Sequence, residues 1–212
     1  MVSIKKTVKK LTLDEKISLL TGFNSWYSNK IPRLKIPSMK MSDGPNGVRG
    51  DSTSGKSSAC FPCPISLGST WNKELINKIG IALGQEALDK DVDVLLGPTI
   101  NLHRHPLGGR HFENFSEDPV LTGEIAVAYV KGVQSKKVSA CLKHFVANDT
   151  EFERHTVSSN LDERTLREIY LLPFEMGIKK AKAKSVMSAY NKLNNIYCLS
   201  LIHISEPTRH LD

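Results

Sequence analysis

The sequence has 212 residues, of which 40% are hydrophobic and 24% are charged, so we expect it to fold rather than to stay disordered. Its length suits one large domain or part of a larger one, and it contains no apolar run long enough to cross a membrane. The formal net charge is +7, and the excess lysines cluster at 5–10 and 179–184, which favours solvated faces over a nucleic-acid partner.

In the first hundred residues, helices are marked by apolar spacing and by capping residues. Thr12 and Glu15 form a capping box, and either Thr70 or Asn72 suits the start of a second helix. An apolar run ended by Gly97-Pro98 is typical of a strand buried on both faces. The predicted elements are a helix over 11–22, a short strand at the start of 38–50, a loop over 51–58, a helix over 72–90 and a strand over 92–100.

The same alternation continues to residue 191. Asp118 is a cap followed by Pro119 in the first helical turn, and 160–163 predicts another cap. Pro173 predicts a bend in the long amphipathic helix that follows. The predicted elements are a helix over 119–134, a strand over 138–142, a helix over 161–184 and a strand over 185–191.

This alternation predicts a parallel sheet in an α/β fold. Polar residues follow every predicted strand, as in a barrel, where the active site is built from the ends of strands all around the ring. In an open sheet such residues would be concentrated at one crevice. No glycine-rich dinucleotide or phosphate-binding motif follows any strand. We therefore predict a (β/α)8 (TIM-type) barrel, and an incomplete one, because a whole barrel takes about 250 residues. The polar segments begin at Asp43, His103, Lys143 and Tyr190.

Asp43 and Arg49 lie on one tight loop, SDGPNGVR. A carboxylate can accept hydrogen bonds from two adjacent sugar hydroxyls, and a guanidinium can donate two to another pair of oxygens. The alternative is that the two side chains pair with each other and stiffen the turn. The loop alone does not decide between these interpretations.

The segment 102–119 gathers histidines, arginines and carboxylates in one loop. His103 and His105 form a His-x-His pair that suggests a zinc site, which would need His144 and Asp149 as further ligands. His-x-His also occurs by chance in many loops, so we expect no metal. Glu117 and Asp118 are predicted to be helix caps rather than catalytic acids.

Cys60 and Cys63 have the spacing of a zinc or redox pair, but no second pair of ligands accompanies them. We therefore expect structural loop cysteines. With Cys141 and Cys198 they fit free thiols in a reducing compartment better than a disulfide framework. The basic N-terminus lacks the apolar core of a secretory signal, so we expect a cytoplasmic protein.

Lys143, His144 and Arg154 place three cationic or potentially cationic groups near the end of the strand over 138–142. Burying such groups costs several kcal/mol unless partners meet them. They could bind phosphate or carboxylate, or they could bind a polyol beside acidic groups. The remaining alternative is an ion-pair network with Glu151 and Glu153.

Taken together, the motifs resemble the N-terminal barrel of glycoside hydrolase family 3, the β-glucosidase and β-xylosidase family. The resemblance covers about residues 11–198, and six motifs occur in order and at natural spacing. They are MSDGPNGVRG, FPCPISLGSTWN, GPTINLHRHPLGGRHFENFSEDP, KHFVANDTEFER, LDERTLREIYLLPFE and MSAYNKLN. The resemblance implies retaining hydrolysis of terminal non-reducing β-D-glucosyl residues, without a cofactor. It also implies a β-glucoside or oligosaccharide as the binding partner.

The resemblance also implies which residues contact the sugar in the −1 subsite. Most of them would bind its hydroxyls, and Met187 and Tyr190 would line the subsite. Lys143 and His144 would then have their partners in Asp43 and in the substrate. The hydroxyl-binding positions are Asp43, Arg49, Arg110, Lys143, His144 and Arg154.

Family members use an aspartate nucleophile in a Ser-Asp-Trp-like motif, which this sequence does not contain. We therefore expect no catalytic nucleophile or acid/base residue in this sequence, and no turnover by the 212-residue chain alone. Residues 199–209, LSLIHISEPTR, resemble a translated sequencing adapter. The expected organisation is a partial barrel domain over 1–198 and an artefactual tail over 199–212.

Two other functions stay open. One is a metal-dependent hydrolase that uses His103, His105 and His144, which zinc content and chelator sensitivity would reveal. The other is a non-catalytic sugar-binding fragment, for which a β-glucoside would bind without being cut. The sequence leaves the choice of glucose, xylose or another glycone open.

Overall fold

The computed structural model describes residues 4–50 and 57–203. Of the loop predicted over 51–58 and the tail predicted over 199–212, residues 51–56 and 204–212 lie outside the described residues. The strands are β1 Met41–Asp43, β2 Val94–Leu96, β3 Ser139–Phe145, β4 Ser158–Ser159, β5 Ser185–Ser188, β6 Lys192–Leu193 and β7 Ile196–Tyr197. The α-helices are α1 Ile4–Lys10, α2 Leu13–Leu19, α3 Pro64–Ser69, α4 Lys73–Asp89, α5 Pro119–Gln134, α6 Glu163–Thr165 and α7 Leu172–Ala181.

A parallel sheet of four strands, in the order β1-β2-β3-β5, forms the centre of the molecule. Each neighbouring pair is parallel, and one or more helices lie between any two strands of this sheet that follow one another in it. A doubly wound open sheet reverses its strand order at a switch point, whereas a barrel keeps the order of the sequence. The sequential order is therefore that of part of a (β/α)8 barrel, as the sequence predicts.

The helices pack on the sheet through the apolar faces that the sequence indicates. On α4, Ile76, Ile79 and Leu83 are buried at helical spacing. Helix α4 lies close to α5 at Gly80. A Cβ atom at this position would lie 2.6 Å from the Tyr129 carbonyl oxygen. The buried core continues through α5 and α7 to Phe174. Burial of these faces supplies the main driving force for folding.

The predicted caps are confirmed where they depend on neighbouring residues alone. Thr12 and Glu15 form the capping box of α2, and the side chains of Asn72 and Asp118 cap α4 and α5. The cap predicted over 160–163 is at Asp162, whose side chain accepts a hydrogen bond from the Thr165 amide.

Several elements differ from the predicted bounds. The observed α2, β2 and β5 are shorter than predicted. Strand β3 does not end at Leu142 but continues to Phe145, because the Lys143 amide donates to the Pro98 carbonyl and Lys143 accepts from the Ile100 amide. The helix predicted over 161–184 is divided into α6, a π-helical segment over Leu166–Tyr170 and α7, with Pro173 in the first turn of α7. The small sheet of β4, β6 and β7 was not predicted.

Within residues 4–50 and 57–203, no helix has both the length and the apolar character that crossing a bilayer requires.

Candidate functional site

The predicted site lies where the parallel strands end. Lys143, near the end of β3, is only 3% exposed, and its Nζ donates to Asp43 Oδ1 of β1 at 3.1 Å. The other oxygen of Asp43 lies 3.5 Å from a guanidinium nitrogen of Arg49. The pairing of Asp43 with Arg49 that the loop allowed is therefore present. Both side chains are nevertheless about half exposed, so each keeps hydrogen-bonding capacity toward solvent.

The loop that carries Asp43 and Arg49 is fixed from beneath by two helices. The buried hydroxyl of Tyr129, on α5, donates to the Pro45 carbonyl at 2.8 Å. Lys90, at the end of α4, donates from Nζ to the Val48 carbonyl at 2.8 Å and is paired with Glu86. Burial raises the pKa of Tyr129, so its hydroxyl stays a donor. The loop is thus part of the rigid scaffold.

His144 follows Lys143 and is buried beside Asn101. The Asn101 side chain accepts from the His144 amide at 2.9 Å and donates to the His144 carbonyl at 2.9 Å. Its oxygen also lies 3.4 Å from His144 Nδ1, so the proton of a neutral ring is assigned to Nδ1 and Nε2 is left as an acceptor. Burial, together with the charges of Arg110, Lys143 and Arg154, lowers the pKa of His144 to about 2. The ring is therefore neutral at physiological pH.

Two arginines complete the cationic part of the site. Arg154 donates from Nη1 to Glu151 Oε2 at 2.9 Å, and Arg110 Nη1 lies 3.9 Å from Glu151 Oε1. On its other side, Arg110 is bonded through Nε to the buried carboxylate of Glu113. Part of the ion-pair network expected as an alternative is thus present. The partner is Glu151, whereas Glu153 is exposed.

Met187 and Tyr190 lie on and just after β5. Met187 is opposite Lys143 in the sheet register. The Tyr190 ring is 56% exposed, and the Arg154 guanidinium lies 5.1 Å from its centroid. The eight predicted residues thus form two groups, one around Lys143 (Asp43, Arg49, His144 and Met187) and one around Glu151 and Arg154 (Arg110 and Tyr190). The charges of Arg110 and Arg154 act on the His144 ring of the first group. Their roles toward a sugar stay predictions.

The alternative metal site is not supported. His103 Nε2 lies 2.9 Å from the His111 carbonyl and 3.1 Å from the Asn114 carbonyl, so it is used as a structural donor. Nδ1 of the exposed His105 accepts from the Leu107 amide. In the part of the chain that the structure describes, no group of three or more His, Cys, Asp or Glu side chains is placed to hold a metal ion. Cys60, Cys63, Cys141 and Cys198 are free thiols.

Sequence reasoning missed Asn101 and Glu113. Asn101 comes directly after the strand predicted over 92–100, where polar side chains meet the ends of neighbouring strands. That position was the available signal. Glu113 accepts from Thr99 Oγ1 at 3.0 Å, and its position after Arg110 at i,i+3 was a weaker indication.

The arrangement is suited to binding a ligand with many hydroxyl groups. It offers a half-exposed carboxylate, several cationic donors and a neutral imidazole that accepts, next to the ring of Tyr190. Each hydroxyl both donates and accepts a hydrogen bond, so such a mixed set can replace the water around it.

A comparison with protein families agrees with this chemistry. The sequence model of the Glycosyl hydrolase family 3 N terminal domain matches residues 11–201. The predicted resemblance is confirmed.

Individual relatives show the same relationship. The chain is 57% identical over 190 residues to a β-glucosidase of Rhizobium radiobacter, an alignment that covers 89% of this chain and 23% of the relative. It is 48% identical over 205 residues to the thermostable β-glucosidase B of Acetivibrio thermocellus, which covers 93% of this chain and 27% of the relative. The chain therefore spans about a quarter of the length of the curated relatives it matches.

Solved structures show a similar fold. β-Glucosidase 3B from Thermotoga neapolitana in complex with α-D-glucose has a TM-score of 0.86 and 45% identity, over 92% of this chain and 30% of that chain. The β-glucosidase from Kluyveromyces marxianus in complex with glucose has a TM-score of 0.89 and 44% identity, over 93% of this chain and 24% of that chain. These similarities confirm the predicted barrel.

Proposed function

Since the chain belongs to glycosyl hydrolase family 3, we propose that the whole protein is a β-glucosidase that releases terminal non-reducing β-D-glucosyl residues. The described residues supply most of the −1 sugar subsite. The glucose complexes of two similar structures support glucose as the glycone. A cytoplasmic location stays a prediction of the sequence.

The observation that carries the proposal is the contact between Lys143 and Asp43. A lysine that is 3% exposed is costly to desolvate, and its paired carboxylate is 43% exposed. The carboxylate side of the pair faces solvent, and a vicinal diol can form hydrogen bonds with the pair there. One hydroxyl donates to Asp43 while another accepts from Lys143 or Arg49.

The neutral His144 adds an acceptor to these donors. Because its pKa is lowered to about 2, it does not add a further positive charge beside Arg110, Arg154 and Lys143. Its Nε2 can accept from a sugar hydroxyl while Asn101 fixes the ring. Contacts of this kind strengthen as an oxocarbenium-like transition state forms, which supplies several kcal/mol in glycosidases.

These residues bind and orient the sugar, and none of them is assigned as nucleophile or as acid/base. Retaining hydrolysis requires two carboxyl groups about 5–5.5 Å apart, one as nucleophile and one as general acid and base. Asp43 is paired with Lys143 and Arg49, so we assign it to hydroxyl binding.

The test is to express the complete reading frame that contains these residues and to compare β-glucoside, β-xyloside and β-N-acetylglucosaminide substrates. We expect the glucoside to be the best substrate. Asp43→Asn should lower kcat/KM about a thousandfold, because a carboxylate acceptor is lost from the subsite. Asp91→Asn is the matched control, since Asp91 is exposed at the opposite end of the sheet.

Binding of glucose without hydrolysis by the complete protein would contradict the proposal and support a sugar-binding role. Equal activity of the Asp43→Asn and Asp91→Asn variants would contradict the assignment of the subsite.

A further inference from the structure

We propose that Glu151 is a positioning residue of this subsite, which holds the guanidinium groups of Arg110 and Arg154 in the orientation that the sugar requires. The inference rests on the proposed function. It concerns a residue that is not itself assigned to sugar binding.

Both oxygens of the Glu151 carboxylate are engaged with protein groups. Oε2 accepts from Arg154 Nη1 at 2.9 Å, and Oε1 accepts from Asn148 Nδ2 at 3.1 Å and faces Arg110 Nη1 at 3.9 Å. The Glu151 side chain is 21% exposed and that of Arg154 is 39% exposed, so these contacts are partly shielded from solvent. A carboxylate used in this way orients its partners rather than contacting the ligand.

The two arginines need such a partner because they lie near each other and near a buried ring. Their Nη1 atoms lie 2.9 and 3.9 Å from the two oxygens of the same carboxylate, and both charges contribute to lowering the pKa of His144. Two guanidinium groups that converge on one pocket repel each other, and the repulsion grows as water is excluded. The negative charge of Glu151 between them offsets this repulsion.

Glu151 also joins the two loops that carry the arginines. Its amide donates to the Gly108 carbonyl at 3.2 Å. At Gly109, where φ is +91°, a Cβ atom would lie 2.9 Å from the Glu151 Cβ, so only glycine allows this approach. The loop after β2 therefore rests on the loop after β3 at Glu151.

Arg110 is fixed from its other side as well. Its Nε is bonded to the buried Glu113, which accepts from Thr99 Oγ1 at 3.0 Å. Arg154 has Glu151 as its carboxylate partner and the Tyr190 ring below it at 5.1 Å. Loss of Glu151 should therefore disturb Arg154 more than Arg110.

The experiment uses the complete protein with the substitutions Glu151→Gln, Glu151→Asp and Glu153→Gln. Glu153 is the matched control, because it is an exposed glutamate two residues away in the same loop. The substrates are p-nitrophenyl β-D-glucoside and its monodeoxy analogues, which lack one sugar hydroxyl each. The melting temperature of each variant, with and without glucose, reports on folding and on binding separately.

We expect Glu151→Gln to lower kcat/KM for the glucoside about 10–100-fold, by analogy with the loss that follows when the hydrogen-bond partner of a metal-binding side chain is removed. Glu151→Asp keeps the charge with a shorter reach and should lose less. The loss should shrink for the analogue that lacks the hydroxyl bound by Arg154, because that contact is already absent. Glu153→Gln should match the wild type.

Three results would overturn the inference. The first is a Glu151→Gln variant within twofold of the wild type. The second is an equal loss on every deoxy analogue, which would indicate a general structural role. If Glu151→Gln does not fold, the deoxy analogues are compared with Glu151→Asp, and an equal loss on every analogue overturns the inference. The third is a wild type without β-glucosidase activity, which would remove the proposed function itself and thus be distinguishable from the other two.

Discussion

Two groups of ion pairs in this molecule use the same chemistry in different surroundings. On the outer helical layer, Glu124 of α5 binds Lys73 of α4 at 3.1 Å and Lys180 of α7 at 2.8 Å. Both lysines are more than half exposed. At the strand ends, Lys143 binds Asp43 at a similar distance but is almost fully buried.

The two groups of ion pairs differ in burial, and we expect them to differ in what they contribute to stability and to function. Exposed lysines are hydrated in the folded and unfolded states, so such pairs contribute little to the free energy of unfolding. A buried lysine is desolvated on folding, and its attraction to one half-exposed carboxylate offsets that cost only in part. Under the proposed function Lys143 binds the sugar, whereas the Glu124 cluster joins helices.

The largest expected effect is that of Lys143→Met in the complete protein. Methionine fills the volume without a charge, and Asp43 stays hydrated, so the free energy of unfolding should change by about 1 kcal/mol. By contrast, kcat/KM for a β-glucoside should fall about a thousandfold, because a donor to the sugar is lost in the transition state. Urea denaturation and steady-state kinetics give the two values. Lys73→Met is the control for which neither value should change appreciably.

If Lys143→Met instead lost several kcal/mol of stability and little activity, the buried pair would be structural. The distinction drawn between the two ion-pair groups would then be wrong.

The second effect concerns Asn101, whose side chain makes two hydrogen bonds with the His144 backbone. Asn101→Ala leaves a buried N–H and a buried C=O without that partner, which should cost about 2–4 kcal/mol. Asn77→Ala is the comparison on the outer layer, where the side chain makes a single bond to the Ala128 carbonyl and a cost of about 1 kcal/mol is expected. Urea denaturation of the two variants side by side measures the difference. Equal losses would show that burial at the site is not the deciding factor.

The outer layer and the site also differ in how far the sequence predicts them. The caps at Thr12, Asn72 and Asp118 depend on residues three positions apart, so the local pattern was sufficient. The end of β3 was misplaced, because its extension depends on hydrogen bonds with Pro98 and Ile100, which are distant in sequence.

The site needed information beyond local pattern. The residue types at the strand ends left phosphate, carboxylate and polyol binding open. The contact between Lys143 and Asp43 spans 100 residues and was expected only from the family resemblance. The support around the site was missed. Asn101 contacts His144, which is 43 positions away in the sequence, and Glu113 contacts Thr99, which is 14 positions away.

A third prediction uses the pH dependence of stability. The pKa of His144 is lowered to about 2 in the folded protein, below the value of about 6.5 expected for an unfolded chain. Between these values the unfolded state binds the extra proton, so the free energy of unfolding falls as the pH falls below about 6.5, by up to about 1.4 kcal/mol per pH unit. Urea denaturation between pH 6.5 and 5 should show this slope.

The His144→Gln variant should lose that part of the slope, whereas substitution of the exposed His105 should retain it. A slope unchanged in His144→Gln would mean that another group takes up the proton.

The smallest effect is expected for the outer ion pairs themselves. Glu124→Gln removes the charge that Lys73 and Lys180 share, and it should change the free energy of unfolding by less than about 1 kcal/mol and leave kcat/KM unchanged. Since the lysines are exposed, even this small difference should shrink in 1 M salt, where the screening length is about 3 Å. The size of the loss and its dependence on salt decide the interpretation. A loss of several kcal/mol that persists in salt would show that the three helices depend on this cluster, and that exposure alone does not separate the stabilising ion pairs of this fold from those reserved for binding.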